Sequence, residues 1–370
     1  MGFMYGVCAH PWALTERDFQ EMKTLGVKYV RMDFRWSEFE ASQDAIYTYA
    51  KYDQFVAWSK TYGVEIIAVP LGFPSWISTT DVTVPPLGSA FDDLVARWGM
   101  FISKIVAHYK GSITYFEIWN EPDAPQFWTD PDGTRTGDGI HGLATTKYVR
   151  LLNESYAQAK TANPNCKIIS GGIGNDTVYL TEMYQNNAEF DFLGAHPYFV
   201  HSPTKNYDVD YFNPSGHPYQ FPKVQYLRDI MVANGDSNKT VMITELGIDD
   251  QLCPIHSTGG APEGHTTQEM QADRLTRVFQ KTLAEYPWVE GIMWYQLKDT
   301  HKAFGAVPKT DSNWGLFRMP GSWDTDPTIA PYTPRPMYFA YKDVILQTKK
   351  KYIFTRWQDS DTSNPRQINI

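Results

Sequence analysis

Two glutamates have neighbours typical of catalytic carboxylates, because each follows a short strand-like run. Glu121 follows the run FEIWN at residues 116–120, and Glu245 follows the run VMIT at residues 241–244. A pair of carboxylates can cleave a glycosidic bond, since one protonates the leaving oxygen while the other captures or stabilises the electron-poor carbon. A single glutamate in a strand is more often structural, so the prediction depends on the pair.

Alternating strand-like and helix-like segments must position these two glutamates. Short β-branched or aromatic runs predict strands at residues 4–10, 28–36, 65–72, 113–122, 167–174, 190–198, 240–247 and 291–297. Helical patterns follow them at residues 15–25, 51–62, 91–109, 145–161, 177–187, 223–233, 267–285 and 335–348. Eight consecutive strand–helix units predict a closed parallel barrel rather than an open sheet.

The predicted fold class is therefore α/β, a (β/α)8 TIM barrel. We expect one catalytic barrel over residues 1–350 and a short C-terminal extension over residues 351–370, packed on or beside it. A phosphate-binding G-x-G-x-x-G turn, typical of open doubly wound sheets, does not follow the first predicted strand. Long loops follow the strands, and in such barrels these loops and the strand ends build the active face. Glu121 and Glu245 should converge there.

Composition indicates a carbohydrate partner. The 370-residue chain has a formal net charge of -9, which argues against binding nucleic acid, whose phosphates need Lys and Arg. Aromatic residues make up 15% of the chain, including 12 Trp and 23 Tyr, more than a barrel core requires. Flat rings with one polar edge suit sugars. No apolar stretch is long enough to cross a membrane, so no membrane partner is expected.

Cysteine and histidine spacing indicate neither a disulfide framework nor a metal site. Cys8, Cys166 and Cys253 are far apart and predicted to be free thiols. The histidines form no H-x-H or H-E-x-x-H set, so we expect no metal and no cofactor. We expect a monomer or weak homo-oligomer. The first residues lack a basic and apolar leader, which leaves a cytoplasmic protein or a mature secreted form as the expected compartments.

The two glutamate motifs resemble those of clan A glycoside hydrolases. They read IWNEP at residues 118–122 and ITELG at residues 243–247, the pattern of a clan whose glutamates lie on strands four and seven. HPY at residues 196–198, VRM at residues 30–32 and WY at residues 294–295 each match further clan signatures. The similarity spans most of the chain and implies a retaining enzyme.

Within the clan, FEIWNEPD at residues 116–123 and NWGL at residues 313–316 most resemble family 39, with family 5 next. Relatives in family 39 include exo-acting β-xylosidases and α-L-iduronidases, which often carry an extra β-sandwich, and endo-acting exopolysaccharide hydrolases. This chain has no room for a full sandwich. That shortage and the aromatic rim loops favour an endo-acting hydrolase.

The resemblance implies a role for each matching residue. Glu121 corresponds to the acid/base, Glu245 to the nucleophile, and Asn120 to a hydrogen-bond partner of the sugar 2-hydroxyl. Arg31 and Tyr198 correspond to residues that hydrogen-bond Glu245, which would keep it ionised at neutral pH. Glu121 should lie in a drier place that keeps its proton.

Aromatic and histidine side chains are the remaining candidates for substrate contacts. By the resemblance, Trp294 forms the floor of the subsite for the cleaved sugar, although a core Trp is the alternative. His196 would contact substrate or brace Glu245, or be a neutral ring under the rim. His10 and Trp36, which fall at or after strand ends as Trp12 does, are further possible sugar platforms.

Three functions compete. The leading prediction is a retaining hydrolase that cleaves β-O-glycosidic bonds of a polysaccharide or oligosaccharide, endo-acting, by double displacement. An exo-acting β-glycosidase, such as a β-xylosidase or β-glucosidase, would need loops that close one end of the cleft. A non-catalytic carbohydrate-binding barrel would show replacement of one glutamate, and both are present.

Overall fold

Eight parallel strands close into a barrel in chain order, as predicted. A computed structural model describes residues 2–77, 89–128, 142–199, 209–213, 220–248, 267–301, 310–311, 313–320 and 330–358. The barrel strands are β1 (Met4–Cys8), β2 (Tyr29–Arg35), β3 (Glu65–Leu71), β4 (Tyr115–Asn120), β5 (Lys167–Gly172), β6 (Phe192–Ala195), β7 (Thr240–Gly247) and β8 (Val289–Tyr295). Strand β1 pairs with both β2 and β8, which completes the ring. The (β/α)8 fold class is confirmed.

Helices flank the barrel between the strands. They are α1 (Glu16–Leu25), α2 (Trp36–Phe39), α3 (Ala50–Tyr62), α4 (Ser89–His108), α5 (Leu143–Ala162), α6 (Thr177–Gln185), α7 (Val224–Ala233), α8 (Gln268–Glu285) and α9 (Pro336–Gln358). The single turn of α2 was not predicted, because it begins at the residue expected to end the second strand. Helix α9 also runs past residue 350, so the predicted start of the C-terminal extension falls inside a helix.

Short two-stranded pairs follow the last barrel strand. Strand β9 (Thr300–His301) pairs with β10 (Thr310–Asp311), and β11 (Phe317–Arg318) pairs with β12 (Thr333–Pro334). A buried ion pair between Arg335 and Asp299, 3.0 Å long, ties this region together beside the barrel mouth. The pairs lie in a stretch for which the sequence predicted only loops.

The core has two layers that follow from the alternation of side chains along each strand. Outward-facing strand residues pack with the inner faces of the helices in one large cluster. Inward-facing residues at the lower end of the barrel form a second, small cluster: Met4, Cys8, Ile67, Tyr115, Ile169, Met242 and Met293. Above this apolar layer, the inward positions are polar, and these carry the candidate site.

Two of the predicted free thiols are confirmed, because Cys8 and Cys166 are buried and unpaired with each other, while Cys253 lies outside the described residues. None of the helices in the described ranges is both long and apolar enough to span a bilayer.

Candidate active site

Glu121 lies immediately after β4, at the end of the barrel where its strands finish. Both Trp119 and Glu121 have positive backbone φ angles, 72° and 42°, a region that side-chain-bearing residues enter at a cost of about 1–3 kcal/mol. Packing holds this turn, because the Trp119 ring is buried against Phe73 and Trp128 and its Nε1 donates to the Phe127 carbonyl. The turn aims Glu121 across the barrel mouth.

Glu245 lies in β7, and both of its carboxylate oxygens have a donor. The Arg31 Nη1 donates to Oε2 at 2.9 Å, and the Tyr198 hydroxyl donates to Oε1 at 2.7 Å. Arg31 comes from β2, and Tyr198 follows β6. Donors from β2 and from the segment after β6 therefore fix the position of a carboxylate on β7.

A buried carboxylate that the sequence analysis did not identify lies below this pair. Glu117, on β4, accepts from Arg31 Nε at 2.6 Å and from Arg31 Nη2 at 3.1 Å. The same Nη2 also donates to the Asn120 Oδ1 at 2.8 Å. Arg31 thus joins Glu117, Asn120 and Glu245, and because its side chain is only 6% exposed, this network is shielded from solvent.

His196 lies between the two strands that carry the glutamates. Its Nδ1 is 2.9 Å from the Glu121 Oε1, and its Nε2 is 3.1 Å from the Thr244 hydroxyl. The ring packs against Gly172 so closely that a Cβ at that position would lie 2.0 Å from Nε2. Glycine at position 172 is therefore needed for the ring to reach Glu121 and Thr244 together.

The network shifts the pKa values of Glu117 and His196 in opposite directions. Burial raises the pKa of Glu117, but Arg31 and His196 outweigh burial and lower it to about 2. Burial lowers the pKa of His196, but Glu245, Glu117 and Glu121 raise it to about 9. Glu117 is thus a permanent anion, and the His196 ring binds a proton at neutral pH in the free protein.

The charge on Glu245 is controlled differently from the sequence-based expectation. Burial, together with the charge of Glu121, raises its pKa above the usual range, although the charges of His196 and Arg31 and the hydrogen bond from Tyr198 act in the opposite direction. The expectation that Arg31 and Tyr198 keep it ionised was incomplete, because burial opposes them. The His196 cation is a third group that favours the ionised form.

Glu121, His196 and Glu245 meet at one point. One ligating atom of each lies within 4.8 Å of the others. That spacing alone would permit a metal ion, but a guanidinium contacts Glu245 and His196 Nδ1 is already paired with Glu121. A second cation would be repelled by Arg31, so we interpret the cluster as a site for acid–base and nucleophilic chemistry.

Aromatic side chains continue from Glu245 along the β8 and β1 side of the mouth. Trp314 contacts Tyr198 edge-on at 5.9 Å between ring centroids and Tyr295 at 5.8 Å. The Tyr295 hydroxyl is 3.0 Å from His10 Nε2, and the His10 ring stacks with Trp12 at 5.8 Å. We call Tyr198, Trp314, Tyr295, His10 and Trp12 the aromatic row.

Two predicted sugar platforms are wrong. Trp294 is 0% exposed and packs against Phe279 of α8, because it occupies an outward position of β8. Trp36 is also 0% exposed, and its Nε1 donates to Glu40 in a packed cluster with Phe101. Neither ring can reach a ligand at the barrel mouth.

The other predicted site residues, Asn120, Arg31, His196, Tyr198 and His10, lie at the mouth with Glu121 and Glu245. Glu117, Thr244, Tyr295 and Trp314 also lie there but were not predicted as site residues from the sequence. A signal for Glu117 existed, since a cation buried in a barrel strand needs an anionic partner and Glu117 is in the neighbouring motif. Tyr295 follows from strand alternation once Trp294 is assigned to the outer face.

Comparison with known proteins places these features in a family. An endo-1,4-beta-xylanase C from Phanerodontia chrysosporium is 28% identical over 165 residues, which covers 44% of this chain and 33% of that protein. The chain thus matches only a third of that relative's length.

Solved structures share the fold. A family 39 glycoside hydrolase from Bacteroides cellulosilyticus WH2 has a TM-score of 0.67 at 22% identity, covering 92% of this chain and 63% of that one. Xylanase 10B from Thermotoga maritima has a TM-score of 0.59 at 16% identity, covering 94% and 96%. A monomeric beta-xylosidase from Caulobacter crescentus CB15 has a TM-score of 0.60 at 16% identity, covering 92% and 67%.

The sequence itself decides between families. The family model described as Glycosyl hydrolase family 10 matches residues 6–306. The predicted membership of clan A is confirmed, whereas the finer resemblance to family 39 is not, because the matching model is that of family 10. This chain belongs to glycosyl hydrolase family 10.

Proposed function

We propose that this chain is a retaining glycoside hydrolase that cleaves β-O-glycosidic bonds of a polysaccharide or oligosaccharide in an endo fashion. The observation that carries the proposal is the approach of Glu121 and Glu245, whose nearest ligating oxygens lie within 4.8 Å with His196 between them. Retaining glycosidases place their two carboxyl groups about 5–5.5 Å apart, whereas inverting enzymes leave room for a water molecule.

Glu245 is the nucleophile. In the first step its oxygen forms a bond to the anomeric carbon as the bond to the leaving oxygen breaks, and Glu121 protonates that oxygen. Arg31 and Tyr198 hold the attacking carboxylate in place through 2.9 and 2.7 Å hydrogen bonds. Holding the nucleophile in place before the reaction lowers the entropic part of the activation barrier.

Glu121 is the acid/base. In the second step it takes a proton from water while the water oxygen bonds to the anomeric carbon and Glu245 leaves. The positive φ angle of Glu121 and its contact with His196 support this role, since both keep the carboxyl at the mouth rather than in the barrel wall. Asn120, anchored by Arg31, is positioned to bind a sugar hydroxyl.

The aromatic row supports a substrate of several sugars. It begins at Tyr198, which contacts the nucleophile, and ends at Trp12, which is 42% exposed. Rings stack on the apolar faces of sugars while their polar edges bond to hydroxyls. The names of the relatives, a xylanase from Phanerodontia chrysosporium and xylanase 10B from Thermotoga maritima, support a β-linked polysaccharide.

An exo-acting β-glycosidase is the second candidate. The structural likeness to a β-xylosidase and to a family 39 hydrolase, together with NWGL at residues 313–316, supports it. Product analysis separates the two: internal cleavage of a polysaccharide yields mixed oligosaccharides early, whereas exo action yields one small sugar throughout.

The decisive experiment compares wild type, Glu121→Ala and Glu245→Ala on aryl β-glycosides and polysaccharides, with and without azide. Azide should rescue both variants, giving the β-glycosyl azide with Glu121→Ala and the inverted α-azide with Glu245→Ala. Glu285→Ala, which removes a surface partner of Lys281, is the matched control and should keep wild-type activity.

Full activity in either active-site variant would refute the assignment of roles. A wild-type protein that binds polysaccharide but cleaves none of the panel would favour the non-catalytic carbohydrate-binding barrel instead.

A further inference from the structure

The buried hydroxyl of Thr244 connects the Glu117 carboxylate to His196, the histidine that contacts Glu121. Thr244, on β7, has its hydroxyl oxygen 3.0 Å from Glu117 Oε1 and 3.1 Å from His196 Nε2. All three side chains are buried, so bulk water does not compete for these hydrogen bonds. The chain of contacts therefore runs Glu117, Thr244, His196, Glu121.

The protons in this chain can be assigned from chemistry. A carboxylate only accepts hydrogen bonds, and Glu117 is held as a carboxylate by Arg31 and by the Gly172 backbone N–H, which donates at 3.0 Å. The single hydroxyl proton of Thr244 must therefore point at Glu117. The Thr244 oxygen is then an acceptor toward the histidine, so His196 Nε2 must carry a hydrogen.

This assignment fixes what the other ring nitrogen can do. With a hydrogen on Nε2, the neutral ring has a lone pair on Nδ1, and Nδ1 faces the Glu121 Oε1 at 2.9 Å. In the free protein these two acceptors lie at hydrogen-bond distance, which requires a proton between them. One proton therefore resides in the pair, either on the carboxyl or on the ring.

Resting on the proposed function, we propose that Glu117 and Thr244 are positioning residues that fix the Nε2–H form of His196. The Glu121–His196 pair of the free protein then holds the proton that glycosylation uses. The groups that act on His196 are Glu117, Glu121 and Asp123 from the β4 side and Thr244 and Glu245 from β7. Arg31 from β2 contacts two of these carboxylates, Glu117 and Glu245.

The proton balance is closed within this pair. In glycosylation the pair gives one proton to the leaving oxygen, leaving Glu121 as a carboxylate beside a neutral ring with its hydrogen still on Nε2. In deglycosylation one proton returns from the attacking water. Thr244 and Glu117 exchange no proton in either step, because their role is to hold the ring in one tautomer.

Thr244→Val tests the proposal because valine keeps the shape and removes the hydroxyl. We expect kcat/KM on substrates with poor leaving groups to fall roughly 10- to 100-fold, the range of general acid catalysis. Dinitrophenyl glycosides, whose leaving groups need no proton, should lose much less in the glycosylation step. The basic limb of the pH profile should move down by about one unit, since the ring can then adopt the other tautomer.

Two further variants serve as controls. Thr244→Ser keeps the hydroxyl and should restore both the rate and the pH profile. Ser170→Ala removes another buried barrel hydroxyl, one that accepts from the Gly194 N–H, and should leave the pH profile unchanged. Equal losses on good and poor leaving groups in Thr244→Val, with an unmoved pH profile, would overturn the proposal.

A second measurement does not depend on whether Thr244→Val folds. Histidine-selective nitrogen NMR of the wild-type protein, with His196→Gln used to assign the signal, reports which nitrogen is protonated when the ring is neutral. We expect hydrogen on Nε2, and hydrogen on Nδ1 alone would refute the proposal. If the His196 ring carries its hydrogen on Nε2 but the protein cleaves no glycoside, the proposed function is refuted and the assigned tautomer is not.

Discussion

Glu245 and Glu121 are of the same residue type and almost equally exposed, at 15% and 19% of their side chains, yet they are held differently. Glu245 binds a guanidinium on one oxygen and a phenol on the other. Glu121 binds a histidine ring that can give or take a proton. The two carboxylates therefore differ in their hydrogen-bond partners rather than in their solvent exposure.

The difference matches the two roles in double displacement. A nucleophile must stay ionised and fixed, and donors that never lose their protons near neutral pH, such as Arg31 and Tyr198, suit it. An acid/base must change protonation twice per cycle, and a neighbour whose own charge can change suits it. The partners therefore predict the roles independently of the family resemblance.

The largest expected effect comes from replacing Arg31, the cation that contacts Glu245. Arg31→Met would leave Glu117 and Glu245 buried without their shared partner, which should cost about 3–5 kcal/mol in the free energy of unfolding. Urea denaturation measures this. Arg277→Met, which breaks the pair with Asp210 at the surface, should cost less than about 1 kcal/mol. Similar losses in both variants would mean that the buried network is not distinctive.

A smaller effect is expected on the acid/base side, and it should depend on pH. The pKa of His196 in the folded protein is about 9, against roughly 6.5 in an unfolded chain. Its protonation therefore stabilises the fold fully below about pH 6.5, and this contribution is lost as the pH rises through the folded-state value. The shift corresponds to about 3 kcal/mol as an order of magnitude.

His196→Gln should flatten the fall in stability between near-neutral and alkaline pH, as measured by urea unfolding at a series of pH values. His108→Gln is the control, since His108 pairs with Asp53 at the surface. Parallel curves for wild type and His196→Gln would show that Glu121 and its neighbours do not retain a proton on the ring.

The same two sides show how far the sequence could predict the structure. Strand–helix alternation and the two glutamate motifs were sufficient for the barrel and for the convergence of Glu121 with Glu245, because parallel strands end at one face. The sequence did not predict the phase of β8, where a shift by one residue exchanges Trp294 for Tyr295 at the mouth. Glu117 was also left unassigned, because its role follows only once Arg31, which is distant in sequence, is treated as a buried cation that needs an anionic partner.

The failure at Trp36 has a related cause. The residues around Trp36 suit the end of a strand as well as the first turn of a helix. In the structure α2 begins at Trp36, and the ring of Trp36 lies in the core. Position along the chain shows that a ring is near the rim, but its direction depends on a backbone turn that periodicity does not specify.

The smallest expected effect concerns the far end of the aromatic row. Trp12→Ala should lower kcat/KM for longer β-linked oligosaccharides by about 2- to 10-fold, the scale of one ring contact, and leave short aryl glycosides unchanged. Phe339→Ala, an exposed ring on α9, is the matched control and should change neither. Trp12 is connected to the site through His10, Tyr295 and Trp314. A loss confined to longer substrates would therefore extend the nucleophile side into a binding surface for a sugar chain. An equal loss on short aryl glycosides would instead make Trp12 a support for His10 and Tyr295.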